Sequence, residues 1–78
     1  MTRSPSNAER EQRWIDAWND LYEVFGGRAS GECLLPDGTL VSFEEAQGFL
    51  QRAAYEDDRV RVEAGWALGR RVAVLTRA

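Results

Sequence analysis

The sequence contains no histidine and no lysine, and it has a single cysteine, Cys33. Without histidine there is no imidazole base, no Ser–His or Cys–His nucleophile pair and no imidazole ligand for zinc. A lone cysteine cannot form an internal disulfide, and this usage is typical of a reducing compartment. We therefore expect a non-enzymatic, cytoplasmic protein that holds no metal and no cofactor.

Long apolar runs are absent too. No segment approaches the roughly 20 apolar residues of a membrane-spanning helix, and the first residues lack the apolar core of a signal peptide. We expect no membrane contact, a flexible tail over residues 1–7 and a single domain over residues 8–78. A chain this short buries only about 60–65% of its unfolded surface. A homodimer is a second way to gain buried area, and the sequence leaves it open.

The charged residues have an unusual composition. All ten basic residues are arginine, 13 residues are acidic and the net charge is −3. Arginine makes bidentate contacts to anions that lysine does not make, but the codon bias of a GC-rich genome gives the same composition. The sequence leaves both explanations open. The negative net charge argues against nucleic-acid binding over the whole surface.

A first helix is predicted from Ser6 to Phe25. Its start is either Ser6, with Glu9 completing a capping box, or Ser4 with Pro5 in the first turn, and we favour Ser6. Two glycines follow Phe25 and suit a helix end. One helical face carries the apolar residues Trp14, Trp18, Leu21 and Phe25.

A second helix is predicted from Phe43 to Glu56. Ser42 and Glu45 form the stronger of the two capping-box patterns, and Val41 and Ala46 can pack as a hydrophobic staple. The apolar positions that follow recur with helical periodicity.

Two hairpins follow the two helices. Strands near 32–35 and 39–41 flank Pro36-Asp37-Gly38, a three-residue loop that pairs Cys33 with Val41; a two-residue Asp37-Gly38 turn would shift the pairing by one. A third strand begins near Asp58, and its apolar residues alternate with charged residues. We assign Ala67-Leu68-Gly69 as its loop, which pairs Val62 with Val74 in the fourth strand.

These elements predict an α+β fold of order α-β-β-α-β-β. Both amphipathic helices and the sheet have an apolar face that must be buried. We therefore expect two layers, with the two helices packed on one face of a four-stranded antiparallel sheet. The predicted core consists of Trp14, Trp18, Leu21, Phe25, Phe43, Phe49, Leu50, Val60, Val62, Val72 and Val74.

The outer face of that sheet is the candidate functional surface. The assigned register places Arg59 opposite Arg77 and Arg61 opposite Leu75, with Arg71 near the loop. Like charges opposite one another are destabilising unless they are neutralised, and arginine is enriched at interface hot spots. We therefore predict a partner-binding surface made of Arg59, Arg61, Arg71, Leu75 and Arg77, with Ala73 in its apolar part. The alternative is that these arginines only keep an exposed sheet soluble.

A protein partner is favoured over nucleic acid, because RNA-binding sheets stack bases on aromatic side chains and this face has none. A nucleic-acid or anion-binding protein using the same face is the second hypothesis. The third is a small enzyme with carboxylate acid/base chemistry at Glu44-Glu45 or Glu56-Asp57-Asp58. Neighbouring helix residues do not face each other, and the EF-hand spacing for a cation is missing.

Overall fold

The computed structural model describes residues 6–77. The elements are, in chain order, α1 (Asn7–Val24), β1 (Glu32–Leu34), β2 (Leu40–Ser42), α2 (Phe43–Tyr55), β3 (Val60–Ala67) and β4 (Arg70–Arg77). The α+β class and the element order are thus confirmed. Most of the predicted N-terminal tail lies outside the described residues, and Asn7, which we assigned to that tail, is the first residue of α1.

Both helices begin at the capping residues that the sequence indicates. The Ser6 side chain accepts a hydrogen bond from the backbone N–H of Glu9 at 3.2 Å, which confirms the Ser6 start. The Ser42 hydroxyl accepts from the N–H of Glu45 at 3.2 Å and donates to its carboxylate at 3.3 Å. These contacts satisfy N–H groups that have no partner inside the helix.

The helices run antiparallel and are joined at both ends. Arg10 and Arg13 of α1 form ion pairs with Asp57, just beyond α2, at 3.4 Å and 3.5 Å. At the opposite end, the rings of Tyr22 and Phe25 pack edge-on against Phe43, with centroids 5.2 Å and 5.9 Å away. This arrangement directs the apolar faces of both helices at the same sheet.

The sheet is mixed and has the order β2-β1-β4-β3. Each hairpin is antiparallel, but β1 lies parallel to β4, with Cys33 beside Ala73. The predicted purely antiparallel sheet is therefore wrong. A parallel pair needs a long crossover, and β2, α2 and β3 together supply it. No local turn links β1 to β4, so the sequence patterns at either strand do not report this pairing.

The first hairpin has the predicted three-residue loop. The N–H of Gly38 donates to the carbonyl of Leu35 at 2.9 Å, and the N–H of Leu35 donates to the carbonyl of Thr39 at 2.8 Å. Gly38 has φ +89°, a conformation that glycine adopts without strain. The register pairs Cys33 with Val41, as predicted.

The second hairpin has a shorter loop than predicted. Leu68 and Gly69 have φ 54° and 73°, as in a two-residue type I′ turn, and Ala67 pairs with Arg70. The register is therefore shifted by one, and Val62 pairs with Leu75 instead of Val74. A one-residue shift moves every side chain of a strand to the opposite face.

The one-residue shift in the register of β4 changes which of its side chains face the helices. Both helices and one face of the sheet meet in a cluster of buried residues: Leu21, Val24, Cys33, Phe43, Ala46, Leu50, Ala73 and Leu75. Partly buried side chains pack against this cluster, among them Trp14, Trp18, Phe25, Phe49, Val60 and Val62. Val72 is buried, as predicted, but it lies on the face away from the helices; Val74 lies on that same face and is only partly buried, because the strand alternation directs both away from the helices.

Candidate functional site

The register of β3 and β4 breaks up the predicted arginine surface. Arg61 lies opposite Thr76 and Val60 lies opposite Arg77, so the predicted pairs Arg61–Leu75 and Arg59–Arg77 are wrong. Leu75 is 0% exposed and belongs to the core. It is therefore excluded as a partner-binding residue.

Arg71 and Arg77 lie on the helix side of the sheet. Arg71 is opposite Trp66, and Arg77 forms an ion pair with Asp58, just before β3. Ala73, which we placed in the apolar part of the surface, is fully buried between them. Arg61 remains on the outer face, whereas Arg59 precedes β3 and lines a groove. The five predicted residues do not form one continuous surface.

The outer face instead carries a row of apolar side chains. Leu40 of β2 pairs with Leu34 of β1, which pairs with Val74 of β4. We call these three residues the outer apolar row; each is partly buried, and no helix of residues 6–77 covers them. Val72 lies beside the row on the same face and is 1% exposed. Sequence patterns missed this row because the face on which Val74 lies depends on the second hairpin's register, and its place beside Leu34 depends on the parallel contact of β1 with β4.

Two ion pairs flank the outer apolar row. Arg61 contacts Glu63 at 2.8 Å on β3, and Arg70 of β4 contacts Glu32 of β1 at 2.6 Å. All four side chains remain at least one-third exposed. Exposed pairs of this kind contribute little to stability, about 0–1 kcal/mol. Their effect is to give the face alternating charges of both signs around an apolar centre.

The far end of the second hairpin is also apolar and exposed. Trp66, on the helix side of β3, is 72% exposed, and Leu68 in the turn is 78% exposed. Large apolar side chains grouped at one exposed site are typical of an interaction surface.

A groove of about 380 Å³ runs between the helices and the beginning of β3. Ala17 of α1, Leu50 and Ala53 of α2 and Val60 of β3 give it apolar walls. Charged residues of both signs also line it: Arg13, Asp16, Asp20, Asp58, Arg59 and Arg61. The groove adjoins the outer edge of β3.

Three of the five carboxylates considered as catalytic candidates have structural partners. Glu45 completes the cap of α2, Asp57 pairs with Arg10 and Arg13, and Asp58 pairs with Arg77. Within residues 6–77, no group of three or more Cys, Asp or Glu side chains is arranged to hold a metal ion. These contacts account for the placement of the three carboxylates without a reaction.

Cys33 is fully buried in β1, at the centre of the core cluster. Burial raises the pKa of its thiol to about 11, because the thiolate would have to exist without solvent. The nucleophilic form is therefore suppressed at neutral pH. Cys33 is a core residue, as its apolar sequence neighbours indicate.

Comparison with protein-family models, with curated proteins and with solved structures found no match to this chain. Neither helix in residues 6–77 is long and apolar enough to cross a membrane.

Proposed function

We propose that this chain is a small non-enzymatic protein-interaction module that binds a protein partner through the outer face of its sheet. The observation that carries this proposal is the outer apolar row, Leu40, Leu34 and Val74, which crosses three strands without a helix above it. Ion pairs flank the row on both sides. An apolar centre with a polar rim is the usual arrangement of a protein–protein interface.

The charges on this face favour protein over nucleic acid as the partner. Arg61 and Arg70 are each neutralised by a glutamate, so they offer no net positive charge to a phosphate backbone. Within the four strands, the outer face has no aromatic side chain on which a base could stack.

The same two arginines indicate the chemistry of the partner. Each guanidinium contacts its glutamate through one nitrogen, which leaves further N–H donors. A complementary surface has an apolar centre to cover the row and carboxylate or carbonyl oxygens to accept from Arg61 and Arg70. Binding of that kind is regulatory or scaffolding in nature and requires no reaction.

The test is affinity capture from the native host, followed by titration of the purified partner against two charge variants. Leu40→Glu places a carboxylate in the outer apolar row, on the strand farthest from β3. Gln51→Glu adds the same charge to the exposed side of α2 and serves as the matched control. We expect Leu40→Glu to weaken binding at least about tenfold, because the new carboxylate would be buried against the apolar centre of the partner without a group to pair with it. The control should bind like the wild type.

Three outcomes would contradict the proposal. The first is equal binding by both variants, and the second is loss of binding only in Gln51→Glu. The third is a partner that nuclease removes and whose affinity falls steeply with salt, since that dependence identifies phosphate contacts. Circular dichroism of each variant verifies that the fold is retained.

A further inference from the structure

β3 forms an open edge of the sheet. In the order β2-β1-β4-β3, no strand of residues 6–77 lies beyond it, and its eight residues include no proline and no bulge. The opposite edge, β2, has only three residues. Proteins usually shorten, interrupt or cover their edge strands, because the free backbone groups pair readily with another chain. β3 is long and uninterrupted, so it is suited to accept a further strand.

The turn determines which backbone groups point outwards. Ala67 and Arg70 flank a two-residue loop and therefore form a hydrogen-bonded pair. Hydrogen-bonded and non-hydrogen-bonded pairs alternate along an antiparallel ladder. The N–H and C=O groups directed at the open edge are thus those of Val60, Val62, Ala64 and Trp66.

We propose that the strand added at this edge is β3 of a second copy of the chain, antiparallel, with the two-fold axis at Val62. This register places Arg61 opposite the second copy's Glu63, twice by symmetry. The neighbouring registers that use the same backbone groups have their axis at Arg61 or at Glu63. The axis at Arg61 opposes arginine with arginine within β3, and its Arg59–Glu63 contacts would need Arg59, which precedes the strand. The axis at Glu63 opposes glutamate with glutamate. Like charges directly opposite are destabilising. Charge complementarity therefore selects the axis at Val62.

The same register explains the exposed tryptophan and the groove. The second copy's Trp66 comes opposite Asp58, on the helix side of the sheet, where the groove of about 380 Å³ begins. The groove's walls of Ala17, Leu50 and Val60 suit an indole ring. A buried indole N–H needs an acceptor, and the carboxylates of Asp16 or Asp58 stand at the rim. Each copy would cover the other's tryptophan.

This dimer shares Arg61 with the surface of the proposed function but leaves the outer apolar row and Arg70 free. Four strands from each copy would join into one continuous sheet whose outer apolar rows stay uncovered. Leu40, the residue altered in the test of the proposed function, lies on the opposite edge of each copy's sheet. Either proposal can therefore fail while the other stands.

Sedimentation of the wild-type chain from about 1 µM to about 1 mM, a range that covers weak self-association, tests the dimer. We expect a concentration-dependent monomer–dimer equilibrium. Trp66→Ser should weaken it at least about 30-fold, as expected for a buried tryptophan at an interface. Leu68→Ser, an equally exposed apolar position in the turn, is the matched control and should leave the equilibrium unchanged.

A charge exchange tests the register. Arg61→Glu leaves an acidic side chain at both positions of β3, and Glu63→Arg leaves a basic one at both. In each variant, like charges would face each other across the two copies, so neither variant should dimerise. An equimolar mixture of the two should form a heterodimer, because every cross-strand pair is then opposite in charge. The double variant Arg61→Glu, Glu63→Arg should dimerise with itself again. Both positions are more than half exposed, and the variants should keep the fold.

Amide hydrogen exchange gives a readout that needs no variant. The amides of Val60, Val62 and Ala64 should slow as protein concentration rises, while those of Arg61 and Glu63 are already protected by β4. A wild-type chain that stays monomeric over the whole range would overturn the proposal. A dimer that Trp66→Ser leaves unchanged, or single-charge variants whose mixture does not associate, would overturn it as well.

Discussion

Val74 occupies the space that a side chain on Gly65 would need. A Cβ on Gly65 would lie 2.5 Å from the Cγ2 methyl of Val74, closer than two such atoms can approach. Gly65 pairs directly with Val72, so Val74 reaches it diagonally across the outer face from the next position on β4. Glycine in a strand interior often marks a close approach of this kind.

Gly65→Ala should therefore destabilise the fold by about 1–3 kcal/mol, the usual effect of overpacking. Val74 is β-branched and its χ1 angle is stiff, so the methyl cannot turn aside at little cost. Urea denaturation at low protein concentration measures the change. In a Val74→Ala background the same substitution should be far less destabilising. Equal losses in the two backgrounds would show that the contact is not the cause.

Leu68 adopts an unfavourable conformation in the second hairpin. Its φ of 54° is left-handed, which costs a residue with a Cβ roughly 1–2 kcal/mol and is best tolerated by glycine, asparagine and aspartate. We expect Leu68→Asn to stabilise the fold by about 0.5–1 kcal/mol in thermal or urea unfolding. Leu68→Ala, which removes the apolar group but keeps the conformational penalty, should show no comparable gain. A gain in the alanine variant alone would point to side-chain exposure instead.

The second hairpin also shows where sequence patterns were insufficient. Ser6, Ser42 and the Pro36-Asp37-Gly38 loop act through local hydrogen bonds, and the elements they define were predicted. A type I′ turn is normally signalled by Asn-Gly, and Leu68-Gly69 carries no such signal. The alternation of apolar residues in β4 fits either register, because Ala73 and Leu75 are apolar as well as Val72 and Val74.

The candidate surface was predictable only in part. Arg61 was correctly placed outwards, because the alternation within β3 does not depend on its partner strand. The ion pair of Glu32 with Arg70 depends on the parallel contact of β1 with β4, which is not encoded in any local turn. The exposure of Trp66 likewise depends on how far the helices extend over the hairpin.

Stability at alkaline pH should depend on Cys33. Burial raises the pKa of its thiol from 9.0 to about 11, so the folded state keeps the thiol neutral while the unfolded chain ionises it. The contribution to stability is complete below about pH 9 and is lost as pH rises through about 11, an effect on the order of 2 kcal/mol. Urea unfolding at about pH 8 and about pH 11 should show a larger loss for the wild type than for Cys33→Ala. Equal losses would mean that the folded protein tolerates the thiolate, in contradiction to the full burial of Cys33 in the core.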